Sequence, residues 1–155
     1  MGQARREREA DRAANGKVAI AFLHPGMVSA YFTESLLTTM LFDVGTSRHV
    51  ATVLQEWSSA NVSAARNTLV DRFLGHESQA EWLLFIDSDM QWDHDAIDRM
   101  LAVADAATAP IVGGLCFGAS RGVLYPTIYS LREIDGRLTT VRAGGYPHDE
   151  VVACD

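Results

Sequence analysis

Two unbroken apolar runs constrain this chain more than any other feature of its sequence. Val18 to Leu23 (VAIAFL) and the WLLFI of EWLLFI at 81–86 place apolar side chains at consecutive positions. Successive side chains on a strand point to opposite faces, so a run without polar alternation is a strand covered on both sides. Strands of this kind belong to parallel sheets flanked by helices. EWLLFI, apolar on both faces, is expected to be central.

The segments around these runs have the other period. Residues 30–42 (AYFTESLLTTMLF) predict a helix with Tyr31, Leu36, Leu37, Met40 and Leu41 on its buried side. His49 to Trp57 predicts a second strand with Val50, Val53 and Leu54 inside. Residues 61–74 place Val62, Ala65, Leu69 and Phe73 at helical spacing, with Val70 and Leu74 widening the stripe, and Gly75 ends them. A further helix is expected from Asp93, capped there and stapled by Trp92 and Ile97, with Met100, Leu101 and Ala104 on the same face as Ile97. PIVGGLCF at 110–117 predicts a fourth strand. Beyond Gly122 the pattern changes to YPTIYSLR and RLTTVR, two antiparallel strands turning at Ile134-Asp135-Gly136.

Strand and helix alternation predicts an α/β fold in three layers, Rossmann-like, with a mostly parallel central sheet. In such sheets ligands bind beyond the carboxyl ends of the strands. The 155 residues suit one domain, expected over residues 17–155. Residues 1–16 mix arginines with acids, lack large apolar side chains apart from the initial methionine, and predict a flexible charged tail ending at Asn15-Gly16.

Charge and cysteine content narrow the function. The net charge is −7 with a single lysine, Lys17, which gives no electrostatic footprint for nucleic acid. Cys116 and Cys154 form neither a disulfide framework nor a zinc motif, so a reducing compartment is expected. No apolar run reaches the roughly 18–20 residues of a membrane span, and no signal-like h-region precedes the first strand. The expected location is the cytoplasm.

Asp87 and Asp89 stand where EWLLFI ends. In extended backbone they project to one side, and a cation between them would relieve their repulsion. Hard oxygen ligands suit Mg²⁺ or Mn²⁺, which complete their shells with water and phosphate oxygens. Asp93 and Asp95, at a helix start, fit capping instead. Arg66 and Asn67 lie early in the 61–74 helix, where an anion would be favoured, although taken alone Arg66 fits a solvated face better. The histidines at 24, 49, 76, 94 and 148 form no ligand cluster, and no Walker loop or Gly-x-Ser-x-Gly is present. Gly113-Gly114 fits either close approach of a ligand or tight helix packing.

In order along the chain, KVAIAFLHPG, the helix bearing SAARN, EWLLFIDSDM and PIVGGLCF resemble the nucleotide-binding half of GT-A fold glycosyltransferases, especially the family 2-like enzymes of bacteria and their phages. The resemblance covers about residues 17–131. It implies an Asp-x-Asp motif at Asp87-Ser88-Asp89, with Asp89 as principal ligand of Mn²⁺ or Mg²⁺ and Asp87 on the ribose or sharing the metal. It further implies that His24 and Pro25 border the base and ribose, that Glu56 reaches the base, and that Arg66 and Asn67 lie near the nucleotide. The implied substrate is a UDP- or GDP-sugar, with transfer to an acceptor hydroxyl.

A carboxylate base for that hydroxyl has no clear candidate; Asp149, Glu150 and Asp155 come last in the chain. GT-A domains are usually longer, so the chain is expected to be the donor-binding part of a larger enzyme. Two other readings compete. A non-catalytic binding or assembly module would keep the fold without the base. A nucleotidyltransferase would show a Gly-rich basic loop after the first strand, and LHPGMVSAYF has one glycine and no basic residue.

Overall fold

The computed structural model describes residues 16–58, 60–75, 79–127 and 129–142. Residues 1–15 of the tail expected over 1–16, and the late carboxylates from Asp149 onward, lie outside the described residues; Gly16 is buried. The chain forms two compact units, one ending at Ala102 and one beginning at Val103.

In the first unit, β1 (Val18–His24) pairs in parallel with β2 (Val50–Trp57) on one side and β3 (Trp82–Phe85) on the other. The order β2-β1-β3 makes β1 the central strand. This corrects the expectation for EWLLFI, which lies at an edge of the three-stranded sheet, with Phe85 already 40% exposed. The apolar continuity of β3 reflects helices on both faces, not strands on both edges.

Helices cover the two faces in turn. On one, Ala19, Ala21 and Leu54 pack with Leu69 of α2 (Val62–Leu74), joined by Leu23, Phe73 and Leu83. On the other, Val18 and Ile20 pack with Ile97 of α3 (Ala96–Leu101) and with Leu36 and Met40 of α1 (Ala30–Gly45). The alternation Val18/Ala19/Ile20/Ala21 therefore serves both layers, which is why the run has no polar break. The molecule is a mixed α/β protein with a parallel sheet and small antiparallel sheets.

The helix at 30–42 is present and extends to Gly45; Leu36 and Met40 pack on the core as expected, but the stripe is turned so that the fully buried residues are others. Phe32, Ser35, Thr39 and Asp43 face inward, whereas Tyr31, Leu37 and Leu41 are exposed. Polar contacts explain the rotation. Ser35 Oγ accepts the Trp92 backbone N–H at 3.1 Å, and Thr39 Oγ1 accepts the Trp92 indole N–H at 2.9 Å. Phe32 meets the same indole edge-on at 5.3 Å.

α2 forms over the expected span and buries Ala65 and Leu69, with Asn61 as N-cap accepting the Ala64 N–H and Gly75 at its end, but Val62 and Leu74 at its two ends are exposed. α3 begins later than expected, at Ala96. Asp95 takes the N-cap place without a side-chain cap bond; Asp93 and Asp95 instead hold Arg99 at 2.9 and 3.1 Å.

The second unit holds two hairpins. β4 (Phe117–Ser120) pairs antiparallel with β5 (Val123–Pro126), and β6 (Tyr129–Ile134) with β7 (Arg137–Arg142). The turn at Asp135-Gly136 is as predicted, with φ of 52° and 72°, the paired positive values of a type I′ turn. The fourth parallel strand expected at 110–117 does not form: residues 111–116 carry no regular structure. Its last residue joins β4 because Arg121-Gly122, at φ 51° and 76°, makes a second turn of the same kind. Pro110 and Gly113-Gly114, residues of low β propensity, bracket Ile111 and Val112 and leave too short a run for a strand.

Candidate functional site

The carboxyl ends of β1 and β2 and the segment after β3 lie at one edge of the parallel sheet. At the end of β1, His24 Nδ1 accepts the Gly26 N–H at 3.1 Å, which in the neutral ring places the proton on Nε2. Gly26 sits at φ 100°, and a Cβ there would lie 2.9 Å from Cη2 of Trp57. Only glycine allows that backbone to lie against the indole. The Ser58 N–H donates to the His24 carbonyl at 2.8 Å, and the His24 and Trp57 rings meet edge-on at 5.6 Å. Pro25 is exposed beside them.

Glu56 is half-buried, and its Oε1 accepts the Trp57 N–H at 3.0 Å. Register assigns it a face. Glu56 pairs across from Leu23, and Leu23 packs with Ala19, Ala21 and Leu54 under α2. His24 and Trp57, one position further on, belong to the opposite face. The sequence-predicted base-pocket residues His24 and Glu56 thus share an edge but not a side of the sheet.

After β3, the Ile86 N–H continues the ladder to the Ala21 carbonyl at 3.0 Å. The chain then turns: the Met90 N–H donates to the Asp87 carbonyl at 3.0 Å. Ser88 and Asp89 are the middle residues of that turn. The extended backbone expected through Asp87-Ser88-Asp89 is therefore replaced by a turn. Although β1 runs on to His24, the chain leaves the ladder here, and the Ser88 carbonyl is taken by the Ser29 N–H at 3.0 Å. The Trp92 bonds to Ser35 and Thr39 fasten the other end of the segment to α1.

Arg66, on α2, reaches this turn. Its Nη2 lies 3.2 Å from Asp87 Oδ1, with the side chains 50% and 71% exposed. Continuing the β1–β3 register one residue past Ile86 puts Asp87 on the α2 face, the same side as Glu56. Asn67 is exposed one position beyond Arg66, and Asp89 is exposed in its turn.

Among the described residues no group of three or more His, Cys, Asp and Glu side chains could hold a metal. What the turn offers is a pair of exposed carboxylates, one already beside a cationic group. That donor set fits a hard divalent ion only if water and ligand phosphate complete its shell, the usual condition for Mg²⁺.

The structure therefore brings together Arg66 with Asp87 and His24 with Trp57, and it divides these pairs between two faces. Trp57 was missed by sequence reasoning, which took it as the last residue of a strand. It is 59% exposed at the sheet edge despite its size. A tryptophan directly after an acidic strand-end residue was the available signal. No protein-family model, characterised protein or solved structure matches the chain. No helix of the described residues is long and apolar enough to cross a membrane.

Proposed function

We propose that this chain is the donor-binding part of a metal-dependent glycosyltransferase of the GT-A type, acting in the cytoplasm on a UDP- or GDP-sugar. The observation that carries the reading is the approach of Arg66 to Asp87 at the carboxyl edge of a parallel sheet, where ligands of open α/β sheets bind. Two elements far apart in sequence there place an anion-gripping side chain beside a cation-gripping one. A nucleoside diphosphate with its divalent ion needs both.

In this proposal Asp89 and Asp87 hold the cation, Mn²⁺ or Mg²⁺, which when bound supplies Lewis-acid neutralisation of the departing diphosphate. Arg66 adds a fixed positive charge on the same oxygens, with Asn67 and the Ser88 hydroxyl as neutral donors nearby. Trp57 offers a planar apolar surface at the end of β2, and His24 Nε2–H a donor next to it. Glu56, held by the Trp57 N–H, presents its remaining acceptor capacity on the Arg66 side. Pro25 borders this edge. The acceptor supplies the attacking hydroxyl, and a carboxylate outside this donor site takes its proton.

Thermal denaturation with UDP- and GDP-sugars, with and without Mn²⁺, tests it. A ligand present at about 100 times its Kd stabilises the folded state by about 2.7 kcal/mol, a rise of several degrees for a chain of this size. The rise should require Mn²⁺ and vanish in Asp89→Ala. Stabilisation by a nucleoside triphosphate alone would point to nucleotidyl transfer. No response to any nucleotide sugar would leave a binding or assembly module without a donor site.

A further inference from the structure

Arg66 occupies one of the two carboxylate oxygens that a cation bound to Asp87 would use. The guanidinium Nη2 is 3.2 Å from Asp87 Oδ1, an ion pair and hydrogen bond between two exposed side chains. Asp87 is anchored through its backbone, because its carbonyl closes the turn to Met90 and the adjoining Ser88 carbonyl is held by Ser29. Arg66 is anchored only through its helix position, and its long side chain is half exposed. The carboxylate is therefore the fixed member of the pair and the guanidinium the movable one.

We infer that Arg66 is a positioning residue with two stations: on Asp87 when the site holds no ligand, and on the diphosphate when metal and nucleotide bind together. This rests on the donor-site reading above. The physical argument is one of charge. A divalent ion approaching Asp87 alone meets a guanidinium already there, and like charges compete for one oxygen. A diphosphate approaching alone meets an arginine partly neutralised by Asp87. When both arrive, the ion takes the carboxylate and the arginine takes the phosphate, so neither is opposed. Binding of the two is then mutually favourable, and by linkage each raises the affinity of the other by the same factor. Solvent exposure of the pair bounds the effect, since exposed ion pairs contribute little.

Arg66→Gln separates this from a merely structural or purely attractive role. Mn²⁺ binding to the full chain is measured by titration calorimetry and by the electron paramagnetic resonance signal of free Mn²⁺, without nucleotide. Arg66→Gln should bind Mn²⁺ alone about two- to fivefold more tightly than wild type at low salt, and the difference should close at about 0.5 M salt. UDP or GDP binding in the presence of Mn²⁺ should be weaker in the same variant. Circular dichroism establishes that the variant is folded, and Arg66→Lys, which keeps the charge without the planar fork, should stay close to wild type for Mn²⁺ alone. Equal or weaker binding of Mn²⁺ alone by folded Arg66→Gln overturns the two-station role while leaving the donor site standing. If wild type binds neither Mn²⁺ nor Mn²⁺ with UDP or GDP, the donor site and the two-station role fail together.

Discussion

Asp43 illustrates how far a single residue can depart from what its type suggests. It follows an apolar helix and reads in sequence as the start of a loop. In the structure it is 5% exposed, and its carboxylate accepts the N–H groups of His49 at 2.6 Å and Val50 at 3.2 Å. Its own carbonyl accepts from Thr46 and Arg48. One residue thus closes α1 and starts β2. Removing an acceptor from buried donors costs about 1–3 kcal/mol, so Asp43→Ala should lower stability by that amount in urea denaturation, and Asp43→Asn, which keeps one acceptor oxygen, by less. Asp105 provides the pH counterpart. Backbone N–H groups of Thr108 and Ala107 and the Thr108 hydroxyl donate to its carboxylate, holding its pKa below the ordinary value of 3.8. A depressed carboxylate stabilises the fold above its unfolded value, and that contribution disappears as pH falls through the folded value. An NMR titration should find the Asp105 carboxyl still ionised below pH 3.8, and Asp105→Asn should flatten the acid limb of the stability profile in that window. The Asp43 role was not legible in the sequence, because it depends on β2 delivering its amides to the carboxylate, whereas the Asp105 turn is local, made with residues two and three positions on.

The elements were legible in proportion to how local their causes are. The helix ended by Gly75 and the Asp135-Gly136 turn follow from residues within a few positions of each other, and both were predicted at their places. The buried side of α1 was predicted only at Leu36 and Met40, because hydrophobicity ranks Leu37 and Leu41 above Ser35 and Thr39. The contact that decides is with Trp92, more than fifty positions away. The same holds for the candidate site. Asp87 and Arg66 could be named from sequence, but the turn through Ser88 and the separation of His24 from Glu56 come from strand register. The α1 assignment has a direct check. Phe32, 1% exposed, should cost about 3–5 kcal/mol when replaced by alanine. Leu41→Lys, at a position 75% exposed, should stay within about 0.5 kcal/mol of wild type. A large loss for Leu41→Lys and a small one for Phe32→Ala in chemical denaturation would reinstate the face read from the sequence.

On the scale of the molecule, burial is unevenly distributed. Among the described residues, every buried apolar side chain lies between Val18 and Ile97, within the unit that ends at Ala102. β1 carries four of them in succession, at 2% exposure or less. In the second unit, β6 is exposed along its whole length, including Leu131 at 69%. A two-stranded hairpin without a covered face is marginally stable in water, so the type I′ turn and the cross-strand ladder are what define β6 and β7. Backbone hydrogen bonds in such an element open locally without unfolding the sheet around β1. Hydrogen exchange should therefore divide the chain. Amides of Ala19 to Phe22 should be protected at least about 100-fold more than those of Leu131 to Ile134, and mild denaturant should release the second group first. Equal protection of both groups would mean that the hairpin unfolds only with the sheet, and that one cooperative unit extends past Ala102.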